Sequence, residues 1–186
     1  MKKEIITIAG SLGSGKSSTA KAVASALGFR HFSSGDLFRQ IAAERGESVE
    51  AINISAEIQK DIDHKVDNLL EGMYRTESKT VIDSRMAWHW MPGSFKVFLA
   101  LDPNTAAERI FTHVQQEGRM SEDAKSVEEV RASIDRRFAS EQKRYAALYN
   151  VNPTDPLNFD MVINTKHNDL KTVTAVVLAA YGAWQN

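Results

Sequence analysis

The sequence predicts an α/β fold of the doubly wound type, a parallel sheet layered between helices. Four short apolar runs carry the prediction: Ile5–Ala9, "TVIDS" at 80–84, "FKVFLALD" at 95–102 and "MVINT" at 161–165. Each reads as a buried strand, and helical segments separate them. Strands that alternate with helices pair in parallel through right-handed crossovers. The first run also leads straight into a glycine-rich turn, which is where such folds bind phosphate.

The helical segments follow in order. Ser17 to Leu27 reads as a helix closed by Gly28, and "DLFRQIAAERG" as a second, with Ser34 or Asp36 as its N-cap and Gly46 as its stop. Ile54, Ile58, Ile62, Val66, Leu69 and Met73 then recur at near-helical spacing in polar surroundings, predicting a long amphipathic helix with one wet face. Further helices are predicted over 104–117, 127–149 and 169–184. Ser126 opens "SVEE", a capping box, and Asp102 in "LALDPNT" reads as a helix cap.

Composition narrows the function. At 186 residues, 42% hydrophobic and 25% charged, the chain suits one globular domain with a sizeable core. Its 23 basic and 24 acidic residues leave a net charge of −1, so no bulk field draws nucleic acid or a membrane surface. Any anion site is therefore local. The absence of cysteine excludes disulfides, thiolate zinc sites and cysteine nucleophiles, and fits a reducing compartment. The apolar run after "MKKE" is too short for an export signal, and no segment has transmembrane length, so the expected location is the cytoplasm.

The glycine-rich turn carries the chemistry. Gly10-x-x-x-x-Gly15-Lys16-Ser17 matches the Walker A pattern, between a predicted strand and a predicted helix as that pattern requires. Backbone N–H groups of Gly10, Ser11, Leu12, Gly13, Ser14, Gly15, Lys16, Ser17 and Ser18 are thus candidates to cradle a polyphosphate at the positive end of a helix. Lys16 would reach the β/γ oxygens and the Ser17 hydroxyl would ligate Mg²⁺. Asp83, at the end of a predicted strand, is placed to hold the magnesium shell, and on spacing alone reads equally as a cap of the next turn.

Arginines carry what is left of the phosphate chemistry. Arg39 follows "SSGDLF" and Arg85 follows Asp83, while Arg137, Glu141 and Arg144 are spaced i, i+4, i+7 on one helix face. That face lies beside an apolar stripe of Ile134, Phe138 and Tyr145, so it leans toward the fold. Guanidinium forks match phosphate oxygens bidentately and keep their charge. Glu141 between two arginines also fits a simple helix ion pair.

At this point the residues resemble a known family. "GSLGSGKSSTAKAVASALGFRHFSSGDLFRQIA" is similar to the opening of the nucleoside monophosphate kinases of the cytidylate/adenylate kinase group. "RRFASEQKRYAALYNVNPTDPLNFDMVINT" resembles the C-terminal signature of the short, archaeal-type cytidylate kinases. The resemblance implies a P-loop NTPase fold, a three-layer α/β/α sandwich on a five-stranded parallel sheet. It implies one domain, 1–186, with a small helical monophosphate-binding insertion at 36–75 and a short lid at about 115–130.

What the resemblance implies for the site is specific. ATP lies on the P-loop, with Arg109 and Arg119 on the lid side, Arg131 as a further lid candidate, and the backbone of Thr165 to His167 at the adenine. The monophosphate lies against Ser34, Gly35, Asp36, Arg39, Arg85, Arg137, Glu141 and Arg144. Lys16, Arg85, Arg137 and Arg144 carry the catalytic charge; Ser17 and Asp83 hold Mg²⁺. The implied reaction moves a phosphoryl group from ATP to CMP or dCMP, in a monomer with neither a nucleic-acid nor a membrane partner.

Two stretches depart from the family. After the third strand the family shows Gly-Arg-Leu-Ala-Gly, whereas this chain reads "DSRMAWHWMPGSF"; where archaeal-type members show Tyr-Gly-Ile-Asp, this one has "YNVN". Both fall near the nucleotide pockets, and Trp88 and Trp90 are candidates to stack on a base or to bury area. His31 and His89 read as core or surface histidines. Two other readings share the cradle: a P-loop kinase of another small acceptor, of the shikimate or gluconate kinase sort, and an ATP-binding regulatory module without phosphoryl transfer.

Overall fold

Five strands and seven helices alternate in the computed structural model, which describes residues 2–47, 61–116 and 126–186. Strand β1 (Ile5–Gly10) leads into α1 (Lys16–Leu27), β2 (Arg30–Ser33) into α2 (Ser34–Arg45), and α3 (Asp61–Thr76) into β3 (Thr80–Asp83). A short α4 (Ala87–Trp90), β4 (Phe95–Ala100), α5 (Pro103–Gln116), α6 (Val127–Tyr149), β5 (Met161–Asn164) and α7 (Leu170–Gln185) complete the order. The sheet runs β2-β3-β1-β4-β5 with every pairing parallel. Ile8 of β1 is paired with Asp83 of β3 and with Val97 of β4.

The central strand shows why the sheet needs two helical layers. Its six residues are all buried, so their alternating side chains must be covered on both faces. Ile6 and Ile8 meet Ala20 and Val23 of α1 and Val173, Val177 and Tyr181 of α7. Ile5 and Ile82 meet Val66 and Leu70 of α3 together with Ala87 and Met91. Each fully buried isoleucine contributes about 2 kcal/mol of burial, so this strand alone anchors both layers.

The caps account for the helix starts. Asp169 accepts from the Thr172 N–H at 2.8 Å, Asp102 from the Thr105 N–H at 3.0 Å, and Ser126 from the Glu129 N–H at 3.2 Å. The start of α2 differs from expectation: Ser33, not Ser34 or Asp36, is the N-cap, accepting from the Asp36 N–H at 3.3 Å. Ser33 is extended because it also ends β2, a strand too short and polar ("RHFS") to read from periodicity.

Several other expectations shift. In α3 the buried positions are Ile62, Val66 and Leu70, whereas Leu69 is exposed; Ile54 and Ile58 lie outside the described residues. In α6, Ile134 and Tyr145 are buried but Phe138 is about half exposed. The two departures from the family resolve locally. Asn150 takes the left-handed C-cap of α6 at φ 53°, a conformation asparagine tolerates better than other non-glycine residues. Met86 and Trp88 bury against Ala9, Phe98 and Tyr145, so in this departure the two apolar side chains after Arg85 pack into the core.

Candidate active site

The turn after β1 is built on two glycines that nothing else replaces. Gly10 has φ +152°, and a Cβ there would sit 2.3 Å from the Leu99 carbonyl oxygen. Gly13 has φ +69°, and a Cβ would meet the Ala106 backbone at 3.1 Å. Ser11 anchors the turn: its N–H donates to Leu99 O at 3.0 Å and its hydroxyl accepts from the Leu101 N–H at 3.3 Å. Gly15, left-handed, begins α1 with no side-chain cap, leaving the first-turn amides aimed at the cavity for an anion.

Lys16 bridges back across this turn, donating to the Ser11 carbonyl at 2.8 Å. Burial, and next the positive charge of Arg85, lower its pKa to about 7, against the opposing pull of Asp83 and Glu141. Its charge is therefore in want of an anion. Beside it the Ser17 hydroxyl donates to the Asp83 carboxylate, and Ser33 reaches the same oxygen at 3.4 Å.

Ser17 and Asp83 suit a hard cation. They offer a hydroxyl and a carboxylate, both oxygen donors, and among the described residues no cluster of three His, Cys, Asp or Glu could hold a metal by itself. Such a pair matches magnesium, which keeps most of its shell as water and phosphate oxygens.

One cavity of about 530 Å³ joins these groups to the arginines. Its floor is Leu12, Gly13, Gly15, Lys16, Ser17 and Ser18, and its far wall takes Ser34, Gly35 and Arg39 from α2, Arg85 after β3, and Arg137, Glu141 and Arg144 from α6. Glu141, 4% exposed, holds two of them: Arg85 Nη1 at 2.9 Å and Arg137 Nε at 3.2 Å. Burial, and then the Arg85 charge, depress the Arg137 pKa, so this pair of cations also awaits anionic oxygens. Arg109 lines the opposite side and donates to the carbonyls of Thr165 at 2.8 Å and Lys166 at 3.0 Å.

Other expected site residues fall elsewhere. Gly10, Ser11 and Ser14 shape the turn from behind; Ser14 Oγ donates to Ser11 O at 2.8 Å. Asp36 turns outward to pair with Arg39 and does not line the cavity. Thr165 is buried, its N–H and hydroxyl both directed to Ala100 O, its carbonyl to Arg109. Arg131 pairs with Asp135 at 3.0 Å and bonds Asn104, away from the cavity. Arg119 lies outside the described residues. Trp88, Trp90, His89 and His31 are absent from the cavity wall; His89 is wedged between both tryptophans and Tyr149.

The wall also contains residues that sequence reasoning passed over. Asp63 and Asp67 of α3, Phe38, Ser84, His113 and Tyr145 all line it. Asp63 lies 2.9 Å from Arg144 Nε, and Asp67 accepts from the Tyr149 hydroxyl. The available signal was that each acid directly follows a stripe position, Ile62 or Val66, and so shares the inward half of the helix.

Comparison with known proteins identifies the family and the fold. Over 179 residues the chain is 34% identical to a cytidylate kinase of Haloarcula marismortui, covering 95% of this chain and 88% of that one. It is 33% identical over 179 residues to a cytidylate kinase of Methanothrix thermoacetophila, covering 96% and 98%. Its fold superposes with TM-score 0.61 on a shikimate kinase from Bacteroides thetaiotaomicron, at 15% identity and 98% coverage of each chain. The sequence profile of the cytidylate kinase-like family matches residues 5–167, with the cradle, the arginine helix and β5 all inside the match. The chain belongs to the cytidylate kinase-like family.

Proposed function

We propose that the protein is an ATP-dependent nucleoside monophosphate kinase that transfers the γ-phosphoryl group of ATP to CMP or dCMP, giving ADP and CDP or dCDP. The observation that carries this reading is a single cavity with a phosphate cradle on one side and Arg39, Arg85, Arg137 and Arg144 on the other. Donor and acceptor phosphates each find cations, which a simple hydrolase or a one-nucleotide sensor does not need. Membership of the cytidylate kinase-like family supports the choice of acceptor.

The residues act by positioning and charge. An acceptor phosphate is already ionised near neutral pH, so the site needs no strong general base. First-turn amides of α1 and Lys16 hold the donor's β and γ oxygens; Arg85 and Arg137 hold the acceptor oxygen in line with the γ phosphorus. Ser17 and Asp83 would hold Mg²⁺, which when bound neutralises charge on the transferring group. Arg109, tied to the 165–166 carbonyls, borders the donor side.

The same proposal has one domain over 1–186, an insertion at 36–75 over the acceptor, and a lid at about 115–130 that excludes water during transfer. Most of that lid lies outside the described residues. Among the described residues no helix is long and apolar enough to cross a membrane. The proposal places the protein in the cytoplasm as a monomer acting on small nucleotides, without a nucleic-acid or membrane partner.

A coupled ADP-release assay with ATP and Mg²⁺ against CMP, dCMP, UMP, AMP, GMP and shikimate, with a no-acceptor control, tests it. Turnover confined to CMP and dCMP is expected. Turnover with shikimate alone, or with none of these despite tight ATP binding, would overturn it.

A further inference from the structure

At the outer side of α3 lies a polar contact that is one donor short of complete. Asp67, in the middle of that helix, is 7% exposed, and its carboxylate accepts from the hydroxyl of Tyr149, the last residue of α6. Burial raises the Asp67 pKa, while the Tyr149 hydroxyl and then the Trp90 indole oppose that rise, so both donors act on the one acid. Yet Trp90 Nε1, itself buried, completes no hydrogen bond among the described residues. A carboxylate has room for several donors, and a buried N–H without an acceptor is unfavourable.

The surroundings hold the two donors firmly. The Trp90 ring stands edge-on to His89 at 4.9 Å and to Tyr149 at 5.6 Å, and Tyr149 stacks on Tyr145 at 6.0 Å. Trp88, two residues before Trp90, is buried against Ala9 and Phe98 and ties α4 to the sheet. The indole and the phenol therefore belong to the sheet and α6, whereas the acid belongs to α3. That helix carries Asp63, Val66 and Asp67 into the cavity wall, and neither Trp90 nor Tyr149 lines it.

We propose that Trp90 and Tyr149 are positioning residues, a two-donor latch that takes full hold of Asp67 when α3 settles onto the acceptor. Tyr149 is engaged already; the Trp90 N–H closes onto the carboxylate as α3 moves in. A bond made only in the settled state favours that state, and with it acceptor binding, without touching the acceptor. The stretch after β3 that departs from the family thereby acts on the wall from behind. This inference rests on the nucleotide-acceptor reading above and adds to it the residues that fix α3 in place.

The indole N–H itself is the readout. Three tryptophans give three indole signals in a proton–nitrogen correlation spectrum, assigned with Trp88→Phe, Trp90→Phe and Trp184→Phe. CMP alone is expected to move the Trp90 signal downfield and slow its exchange with solvent; ATP alone should leave it in place. In steady-state kinetics Trp90→Phe, which keeps a ring but removes the donor, should raise the KM for CMP about tenfold, with kcat and the KM for ATP within about twofold. Tyr149→Phe should act in the same direction.

A fall in Tm with both KM values unchanged, or a Trp90 signal that CMP does not move, would overturn the proposal and leave the two rings as packing. If Trp90→Phe does not fold, the wild-type spectrum decides, with Trp90 assigned by elimination from the other two variants. A wild type that turns over CMP with an unmoved Trp90 signal removes this inference alone, whereas a wild type inactive on every monophosphate removes the nucleotide-kinase reading with it.

Discussion

Glu141 and Arg85 meet at 2.9 Å on one wall of the cavity, the first from the middle of α6 and the second from the loop after β3. With Arg137 at 3.2 Å on its other oxygen, Glu141 keeps two cations close that would otherwise repel. Pre-placed cations need little reorganisation when a phosphate arrives.

Removing Arg85 should therefore act on the acceptor. Arg85→Ala is expected to raise the KM for the monophosphate about 10- to 100-fold, the worth of a charge-assisted bond, and to lower kcat. The KM for ATP should stay within about twofold. Steady-state kinetics with each substrate varied in turn checks this; a change confined to ATP would move Arg85 to the donor side.

Lys16 ties catalysis to a proton. Its pKa of about 7 in the free protein lies below the ordinary lysine value of 10.5, so between those limits the unfolded chain holds the extra proton and stability rises with pH. A bound polyphosphate favours the charged form, so binding ATP at pH 8 should take up about one proton. Calorimetric titration in two buffers of different ionisation enthalpy measures it. Lys16→Met should abolish the buffer dependence, fold normally and lose on the order of 10³-fold in turnover; buffer-independent binding by the wild type would contradict the assignment.

Asp83 meets Ser17 and Ser33 at the ends of α1 and β2, so its carboxylate has a fixed direction. Asp83→Asn should raise the Mg²⁺ concentration for half-maximal activity about 10- to 100-fold. Binding of ATP without metal should change little, and a metal titration of the rate separates the two effects. An unaltered Mg²⁺ requirement would reduce Asp83 to a structural cap.

Gly10 is the point at which the cradle is locked to β4. A methyl group there would sit 2.3 Å from Leu99 O and 2.9 Å from Leu99 N, against backbone that cannot turn away. Gly10→Ala should cost about 3 kcal/mol. Thermal unfolding should show a fall in Tm on the order of 10 °C. A variant of wild-type stability would mean that β1 and β4 can separate.

Legibility in the sequence followed the range of the interaction. Lys16 and Ser17 were readable because a strand, a glycine turn and a helix follow one another directly, so local spacing implies their geometry; Asp83 read equally as a turn cap, and it meets Ser17 because β3 pairs beside β1. β2 was not, since "RHFS" has neither the length nor the alternation of a strand and exists because β3 offers a paired edge. Asp36 read as a site residue yet pairs outward with Arg39, while Ser33 took the capping role through its extended backbone at the strand end. The tryptophans read as candidates either to stack on a base or to bury area, and Trp88 is buried, packed on Phe159.

By itself the sequence determined the α/β class, the phosphate cradle and the arginine face of α6, all of which depend on contacts within a few turns or strands of chain. Only the tertiary structure decided which of those arginines share an anion site, because Arg85 and Arg137 meet through Glu141 across a long separation in sequence. It also brought Asp63 to Arg144, a contact between α3 and α6, which β3, β4 and α5 separate along the chain. Such pairs form when packing of apolar faces sets helix positions, and a helical period reports which residues face inward but not what they face.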